Sequence, residues 1–527
     1  MSRRVSLAGG LALLAMSAVF LPLVPGLALT AAPLLRCEIW LALWQDAQWP
    51  QAAVVMLVST LISVCGAASL TLLIICGLWP GPRWQRYVRR LPALLAFPHV
   101  AFASGLLFLF TDNGWLMRLI PATFPAESTG IGLGIMLALK ETWFLLWFAS
   151  TQLNQHELEQ QLVIAQTLGY GPLHGRLIVL VPQLLPRLGW ALVAIVAYSL
   201  SVVDVAVILG PTNPPSLAVL AWQWMNDGDP HQQAMGVALS LVMLIVLTGF
   251  ILCGKLLWLA IRSRLKHFSG FRHRTDIRHF STGVAAGMSL TGVASLLMLA
   301  SWSLAQGWFY PALLPDEVTL SGWLAASYEP LVTALLLALA SSFLAVVCIL
   351  FWLEGCSRRF DICILLPLLL PALPLAAGQY QVLLNIRQDG TWQAVVWSHL
   401  LWVIPYTLLV VKPAWLRLDP RYASVARTFG WSDWKILWCV KAPLLLRPLL
   451  AALAVGFSVS VAQYLPTLYA GAGRITTVTT EAVALSSGGD PQQMAIQSLL
   501  QMALPAGMFI VTLQLSRLIC HYRLGLR

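Results

Sequence analysis

Stretches of about 20 predominantly apolar residues recur along the whole chain, and each can cross the hydrocarbon core of a bilayer, which is about 30 Å thick. Of the 527 residues, 59% are hydrophobic and only 10% are charged, whereas about 25% of the residues of a soluble domain are charged. A segment inside lipid has no water to pair with its backbone amides, so each stretch is expected to be helical. The sequence therefore predicts an all-α polytopic membrane protein.

About twelve transmembrane helices are predicted, six in each half of the chain. They lie near residues 7–31, 52–79, 91–110, 130–150, 187–210, 233–260, 283–306, 330–353, 361–384, 393–411, 448–470 and 493–516. The first stretch is longer than the apolar core of a signal peptide, which has about 7–15 residues, so we expect it to be retained. The prolines inside the stretches predict kinks rather than helix ends, at Pro98, Pro371, Pro374 and Pro405.

Positive charge is distributed unevenly between the two sides of the predicted membrane protein. If the N-terminus, with Arg3 and Arg4, is cytoplasmic, 26 of the 32 Lys and Arg residues fall on the cytoplasmic side and 4 on the outer side. The outer side keeps Arg36, Arg118, Arg387 and Arg474. This is the positive-inside pattern, so we expect both termini in the cytoplasm. The net charge of +11 then indicates contact with anionic lipid rather than nucleic acid, and the basic segment 261–282 is interpreted as a cytoplasmic linker.

A short segment occurs twice in the chain. Residues 165–182 read AQTLGYGPLHGRLIVLVP, and residues 426–443 read ARTFGWSDWKILWCVKAP. A shift of 261 residues aligns Ala165 with Ala426, Thr167 with Thr428, Gly169 with Gly430, and Pro182 with Pro443. Both copies follow the fourth span of their half and lie on the same side, which indicates parallel repeats. The first repeat is predicted to cover residues 1–260 and the second residues 283–527.

Each copy predicts a helix–turn–helix protrusion, which we call the first repeated loop (157–182) and the second repeated loop (419–443). In the second loop, Asp419 suits an N-cap and Pro420 the first helical turn. Gly430 suits the left-handed position that ends a helix. A single copy would be interpreted as an amphipathic connector on the lipid surface. Two copies at a fixed spacing favour two similar docking points, for a dimeric partner or for two copies of one partner.

The pattern Ala-x-Thr-x-Gly, followed thirteen residues later by Pro, resembles the EAA loop of binding-protein-dependent ABC importer permeases. Two such loops in one twelve-span chain look like the fused permeases of the thiamine and ferric-iron uptake group. The resemblance implies a type I importer fold in the bacterial inner membrane. It also implies that the loops couple to two copies of a cytosolic ABC ATPase, and that a periplasmic substrate-binding protein is a further partner.

The chain departs from the family pattern at one position in each loop. The glutamate that the family places six residues before the glycine is replaced by Val163 and by Ser424. In the family this carboxylate helps to seat the loop on the ATPase. Glu157 and Glu159, a few residues earlier, are alternative carboxylates for the first loop, whereas the second loop has none between Asp419 and Asp433. Without such a contact, docking would depend on shape and on buried apolar contacts, which often carry most of the energy of an interface.

ATP binding is not expected in this chain itself, because no GxxxxGK[ST] segment occurs in it. The resemblance implies a transport subunit rather than an enzyme, without a cofactor of its own, whose partner uses the ATP. No CxxC pair or other metal-ligand spacing stands out, so no metal site is expected. The sequence does not choose among thiamine, a related small cation and ferric iron as the substrate.

Polar residues within the predicted spans are candidates for a substrate pathway, because ionisable groups are costly there. These candidates are Lys140, Glu141, Asp204, His399, Gln463 and Tyr464. A structural ion pair between Lys140 and Asp204 is an equal alternative, and hydrogen-bonded packing is the favoured alternative for His399 and for His99. For the whole chain, the alternative is a proton-coupled secondary transporter of the major facilitator type, which leaves the repeated loops unexplained.

Overall fold

The computed structural model describes residues 7–111, 114–119, 129–153, 156–265 and 275–524. Arg3, Arg4 and residues 266–274 of the predicted basic linker lie outside the described residues. Within the described ranges, helices make up most of the chain, and the short strands β1 (Ala305–Gln306) and β2 (Glu317–Val318) pair antiparallel.

Most of the helices of the first half are separated by only a few residues in the sequence. They are α1 (Leu7–Phe20), α2 (Leu23–Ala31), α3 (Cys37–Gln45), α4 (Gln48–Leu78), α5 (Pro82–Leu95), α6 (His99–Phe110), α7 (Trp115–Leu119), α8 (Ile131–Gln152), α9 (His156–Thr167), α10 (Pro172–Gly175), α11 (Val181–Arg187), α12 (Gly189–Ser201), α13 (Asp204–Leu209), α14 (Leu217–Met225) and α15 (Pro230–Leu265).

The second half repeats this succession of long and short helices. Its helices are α16 (Arg278–Leu304), α17 (Ser321–Ala325), α18 (Glu329–Gly355), α19 (Asp361–Leu365), α20 (Ala372–Asn385), α21 (Trp392–Leu416), α22 (Pro420–Thr428), α23 (Asp433–Ile436), α24 (Ala442–Leu444), α25 (Leu446–Val461), α26 (Leu465–Gly471), α27 (Val478–Ser486) and α28 (Pro491–Leu524).

Nine stretches of described helix are long and apolar enough to cross a bilayer. The number rises to as many as twelve if each of three bent helix pairs forms one span. The pairs are Pro172–Arg187 with Gly189–Ser201, bent by 59°, Asp361–Leu369 with Ala372–Asn385, bent by 111°, and Asp433–Leu444 with Leu446–Val461, bent by 80°. The prediction of an all-α polytopic membrane protein is confirmed.

One compact unit consists of Met1–Leu35, Ala325–Leu485 and Ile496–Arg527. In it, α1 and α2 pack on α18 and α20 of the second half. The helices approach most closely at glycines: a Cβ atom added to Gly355 would lie 2.2 Å from the Cα atom of Gly9, and one added to Gly26 would lie 2.1 Å from the carbonyl oxygen of Gly378. Small residues at the crossing let the two backbones approach, which is how helices commonly associate in membranes.

The other compact unit consists of Arg36–Leu324 and Ser486–Ala495. Here α16 packs on α4 and α6 of the first half. The Ser281 hydroxyl donates to the Leu73 carbonyl at 2.8 Å, and the Ser295 hydroxyl donates to the Phe102 carbonyl at 3.2 Å. Glycines again make room, since a Cβ atom on Gly77 would lie 2.0 Å from the Ser281 oxygen.

The first spanning helix of each half therefore belongs to the unit that is built mainly from the other half. Hydropathy did not indicate this exchange, because it shows that a helix is apolar and not which helix it contacts. The repeat boundaries 1–260 and 283–527 describe the sequence and stay a prediction.

Replacing Gly355 by Val is expected to destabilise the unit that contains α1 and α18, because the added carbon atoms would overlap the backbone of Gly9. Overpacking of this kind costs about 1–3 kcal/mol. Gly10→Val is the matched control, since a Cβ atom there meets nothing within 4 Å. The measurement is the midpoint of thermal unfolding of the purified protein in detergent. Equal midpoints for the two variants would contradict the observed contact.

Candidate functional site

The two repeated loops have the same backbone. After α9, Gly169 has a φ of 87°, and after α22, Gly430 has a φ of 74°. The amide that follows each glycine donates to the motif alanine, Tyr170 to the Ala165 carbonyl at 3.1 Å and Trp431 to the Ala426 carbonyl at 3.3 Å. A left-handed residue with this bond closes a helix C-terminus, and glycine adopts it without steric cost. The conformation expected for Gly430 is therefore present in both loops.

The alanine and threonine of the motif build the turn itself. Ala165 and Ala426 are both buried within their loops. The Thr167 hydroxyl donates to the Ile164 carbonyl and the Thr428 hydroxyl to the Val425 carbonyl, both at 2.7 Å. The two hydroxyls are thus bonded within their loops and help to determine the shape of the turn, while Thr167 and Thr428 themselves are exposed.

A wide helical turn precedes the motif proline in each loop. The turns cover Arg176–Leu180 and Leu437–Lys441, and each closes with a bond from an amide to the carbonyl five residues earlier. The prolines, Pro182 and Pro443, come two residues after these turns. Proline has no amide hydrogen and its ring collides with the carbonyl four residues earlier, so a wide turn accommodates it. The 261-residue repeat thus extends to an unusual feature of the backbone.

Each loop exposes an apolar pair on its first helix. Ile164 and Leu168 are 56% and 64% exposed, and Val425 and Phe429, which occupy the equivalent positions, are 56% and 75% exposed. Residues four apart lie on the same face of a helix. Each loop therefore presents a small apolar face, and the two faces match.

The positions that carry a glutamate in the resembling family are also exposed. Val163 lies beside Ile164 at the surface, and the Ser424 hydroxyl donates to the Pro420 carbonyl at 3.2 Å. A docking partner would thus meet an apolar and a neutral polar side chain at these two positions.

A polar cluster lies where two spans of the first half are interrupted. The backbone breaks between α5 and α6 and again between α12 and α13. His99 and Asp204 are the first residues after these breaks, and the Nε2 atom of His99 lies 3.0 Å from a carboxylate oxygen of the buried Glu141. Asp204 is close enough to interact electrostatically with His99, whose ring packs against Tyr198 at 4.9 Å between centroids. Interrupted spanning helices often mark a binding site.

Lys140 binds backbone carbonyls rather than the carboxylate of Asp204. Its ammonium group donates to the carbonyls of Leu94 and Leu95, at 3.2 and 3.5 Å, and to that of Phe97. The first two carbonyls belong to the last residues of α5, and that of Phe97 lies in the break that follows. The structural ion pair between Lys140 and Asp204 is therefore wrong as a prediction, because the lysine instead caps the interrupted helix.

His399 connects the two sides of the break between α25 and α26. Its Nδ1 atom lies 2.7 Å from the Ser460 hydroxyl and its Nε2 atom 2.9 Å from the Thr467 hydroxyl. Thr467 donates its own hydrogen to the Gln463 carbonyl at 2.7 Å, so the hydrogen of the imidazole lies on Nε2. His399 is buried, and these bonds match the alternative of hydrogen-bonded packing.

Gln463 and Tyr464 form the break in this span themselves. Gln463 is half-buried and Tyr464 is buried.

Leu401 and Leu465 occupy the positions equivalent to Lys140 and Asp204, and both are buried. The ionisable cluster is thus confined to one half. The sequence did not indicate the breaks at 202–203 and 462–464, which contain no proline. At Pro98 and Pro371 it predicted kinks rather than helix ends, and this is wrong, because α5 ends before Pro98 and α20 begins only after Pro371.

Replacing Gly430 by Ala is expected to loosen the turn of the second repeated loop. A Cβ atom there meets nothing within 4 Å, so the cost is only that of the left-handed backbone, about 1–2 kcal/mol. The amide of Trp431 should then exchange with solvent about tenfold faster. Gly430→Asn is the control and should be milder, since asparagine tolerates this conformation. Unchanged exchange in the alanine variant would contradict the role of Gly430.

Comparison with known proteins identifies the family. No family model and no solved structure matches the chain. The inner membrane ABC transporter permease protein YnjC of Escherichia coli strain K12 is 45% identical over 510 residues, 97% of this chain and 96% of that protein. The thiamine transport system permease protein ThiP of the same strain is 27% identical over 466 residues, 81% of each chain.

A shorter match covers 25% of this chain and 46% of the relative, the homologue of the spermidine/putrescine transport system permease protein PotC from Mycoplasma genitalium, at 25% identity over 131 residues. All three relatives are named as permeases, which supports an ABC permease over a proton-coupled secondary transporter. Because its identity to YnjC extends along nearly the whole length of both proteins, the chain belongs to the family of ABC importer permeases.

Proposed function

We propose that this permease forms the translocation pathway of an importer in the bacterial inner membrane, and that each repeated loop docks on one of two copies of a cytosolic ABC ATPase. One observation supports this above the others. The two loops repeat the same cap, the same wide turn and the same exposed apolar pair at a constant shift of 261 residues. Two equivalent surfaces on one chain fit two copies of one partner.

The exposed apolar pairs are the proposed anchors of this docking. Leu168 and Phe429 project at equivalent places next to the turn. With Val163 and Ser424 at the position of the family's glutamate, neither loop has a carboxylate at that position. Buried apolar anchors near the centre of an interface supply most of its binding energy, so Leu168 and Phe429 would carry the attachment.

The remaining partners follow from the proposed orientation. With the loops in the cytoplasm, the chain has both termini there and most of its positive charge on that side. The ATPase partner would bind and hydrolyse the ATP, and this subunit would need no cofactor of its own. A periplasmic substrate-binding protein would deliver the substrate to the opposite face. The name of YnjC places that relative in the inner membrane, in agreement with this location.

The substrate is proposed to be a small organic cation. Two relatives are named for the transport of thiamine and of spermidine or putrescine, all of which carry positive charge. Glu141 and Asp204 supply two carboxyl groups close to His99 at the interrupted spans. The Lys140 ammonium is held by the backbone carbonyls of Leu94 and Leu95. His399, Gln463 and Tyr464 stay predictions for the part of the pathway in the other unit.

Leu168→Asp and Phe429→Asp should each weaken capture of the ATPase at least tenfold, because a carboxylate would be buried in an apolar contact. Leu168→Met and Phe429→Tyr keep the apolar surface and serve as controls. The measurement is the amount of Walker-motif ATPase that co-purifies with the tagged chain from its native host in mild detergent. A wild-type chain that purifies without an ATPase, or aspartate variants that retain it fully, would overturn the proposed docking.

Asp204→Asn is expected to reduce substrate uptake, whereas Lys140→Met is expected to reduce thermal stability. The asparagine keeps an oxygen for the amide of Val205 but removes the charge, so uptake should fall about tenfold with thermal stability near that of wild type. The methionine leaves the Leu94 and Phe97 carbonyls without a donor, which costs about 1–3 kcal/mol for each. Uptake of thiamine and spermidine by the reconstituted importer, together with melting temperatures, tests both. Unchanged uptake of both compounds by Asp204→Asn contradicts the proposed cation contact.

A further inference from the structure

The second repeated loop is attached to its helix bundle by a buried ion pair. The Lys441 ammonium lies 2.5 Å from a carboxylate oxygen of Glu354, and the two side chains are 19% and 8% exposed. The same ammonium lies 5.2 Å from the ring centre of Trp415. Glu354 and Trp415 are the last residues but one of α18 and α21. One lysine of the loop therefore contacts the ends of two spanning helices.

A second ion pair links these helix ends to a third. The Lys412 ammonium, near the end of α21, lies 2.7 Å from a carboxylate oxygen of Asp361, the first residue of α19. The other oxygen of Asp361 accepts a hydrogen bond from the Trp352 indole of α18 at 2.8 Å. Both carboxylates are almost fully buried. The ends of α18, α19 and α21 are thus tied together, and Lys441 joins the loop to them.

Aromatic packing reinforces the attachment one turn earlier in α18. The Phe351 ring lies 5.5 Å from that of Trp434 and 6.2 Å from that of Trp438, measured between centroids. Phe351 and Glu354 are three residues apart, so they lie on the same face of α18. The loop therefore contacts one face of this helix through an ion pair and through an aromatic cluster.

Burial makes the Lys441–Glu354 contact resist separation. A carboxylate that is shielded from water has a large cost if its partner leaves, because water does not replace the lost charge. An exposed ion pair imposes no such constraint. The second loop also has an exposed pair, in which Arg427 and Asp433 are 54% and 57% exposed and 3.0 Å apart. This pair offers an internal comparison.

The first repeated loop lacks the residues for the same attachment. The 261-residue shift places the buried Leu180 at the position of Lys441 and Thr151 at that of Lys412. The first loop instead reaches α4 through a hydrogen bond from the Arg176 guanidinium to the Cys76 carbonyl, at 2.7 Å. The two loops thus match in the face that they expose and differ in how they join the spans.

We infer that Lys441 and Glu354 are positioning residues of the transport cycle, which make the second repeated loop move as one body with the ends of α18 and α21. The inference rests on the proposed docking of an ATPase on the loops. ATP-driven displacement of the second loop is then passed directly to these spans, whereas the first loop transmits its displacement through a different contact. The two ATPase copies therefore act on the pathway through two different contacts between a loop and the spanning helices.

The test uses the full chain assembled with its ATPase and binding protein in nanodiscs. The double variant Lys441→Met/Glu354→Gln removes the ion pair without leaving a buried charge, so it should assemble and melt like wild type. Its substrate transported per ATP hydrolysed should fall at least tenfold. The exchanged pair Lys441→Glu/Glu354→Lys should restore this ratio to within about threefold of wild type. Arg427→Gln/Asp433→Asn removes the exposed pair and should change the ratio less than twofold.

Two results would overturn the inference. One is a wild-type ratio of transport to hydrolysis in the double variant. The other is an exchanged pair that assembles and melts normally but stays uncoupled, since the ion pair would then not be the link. A wild-type chain that fails to assemble with an ATPase contradicts the proposed function, and the inference with it. Assembly is measured before transport, so this failure is distinguishable from the other two.

Discussion

The need to pair every backbone amide and carbonyl inside lipid governs this structure. Continuous helices such as α4 and α18 satisfy it within themselves, but several spans are interrupted, and each interruption frees polar groups that side chains must meet. Lys140 donates to the carbonyls that α5 leaves open, and the chain of bonds from Ser460 through His399 to Thr467 joins the two sides of the break before α26. Several of the polar residues within the spans are thus explained by the breaks beside them.

The internal repeat gives the two halves of the molecule the same loop structure but different polar residues within their spans. The turn of the repeated loop is the same down to the donor and acceptor of individual bonds. Around it, the halves diverge, since carboxylates gather near His99 in one half and a neutral hydrogen-bonded histidine occupies the other. The turn and the exposed apolar pair are thus the same in the two repeated loops, whereas the polar residues beside the interrupted spans differ between the halves.

The parts of the fold that depend on neighbours in sequence could be predicted, and those that depend on distant residues could not. Gly430 and Pro443 determine the shape of the loop locally, so the turn was visible in the sequence. The apolar stretches indicated the spans for the same reason. By contrast, the acceptors of Lys140 belong to residues about 45 positions earlier in the chain, which no local pattern signals. The partner of Lys441 likewise comes from a helix that ends 86 residues earlier, at Gly355, and no local pattern signals it.

The packing of α2 against α20 has a consequence for how the chain is made. Gly26 is synthesised about 350 residues before Gly378, with which it is in close contact. Until their partner helices are inserted, the faces of α1 and α2 that carry small residues are covered by lipid or by an insertion factor. Proteins that assemble in this order pass through intermediates with incomplete packing. The packing of α2 is therefore completed only after α20 has been synthesised, and a ribosome that stalls before α20 leaves α2 without its partner helix.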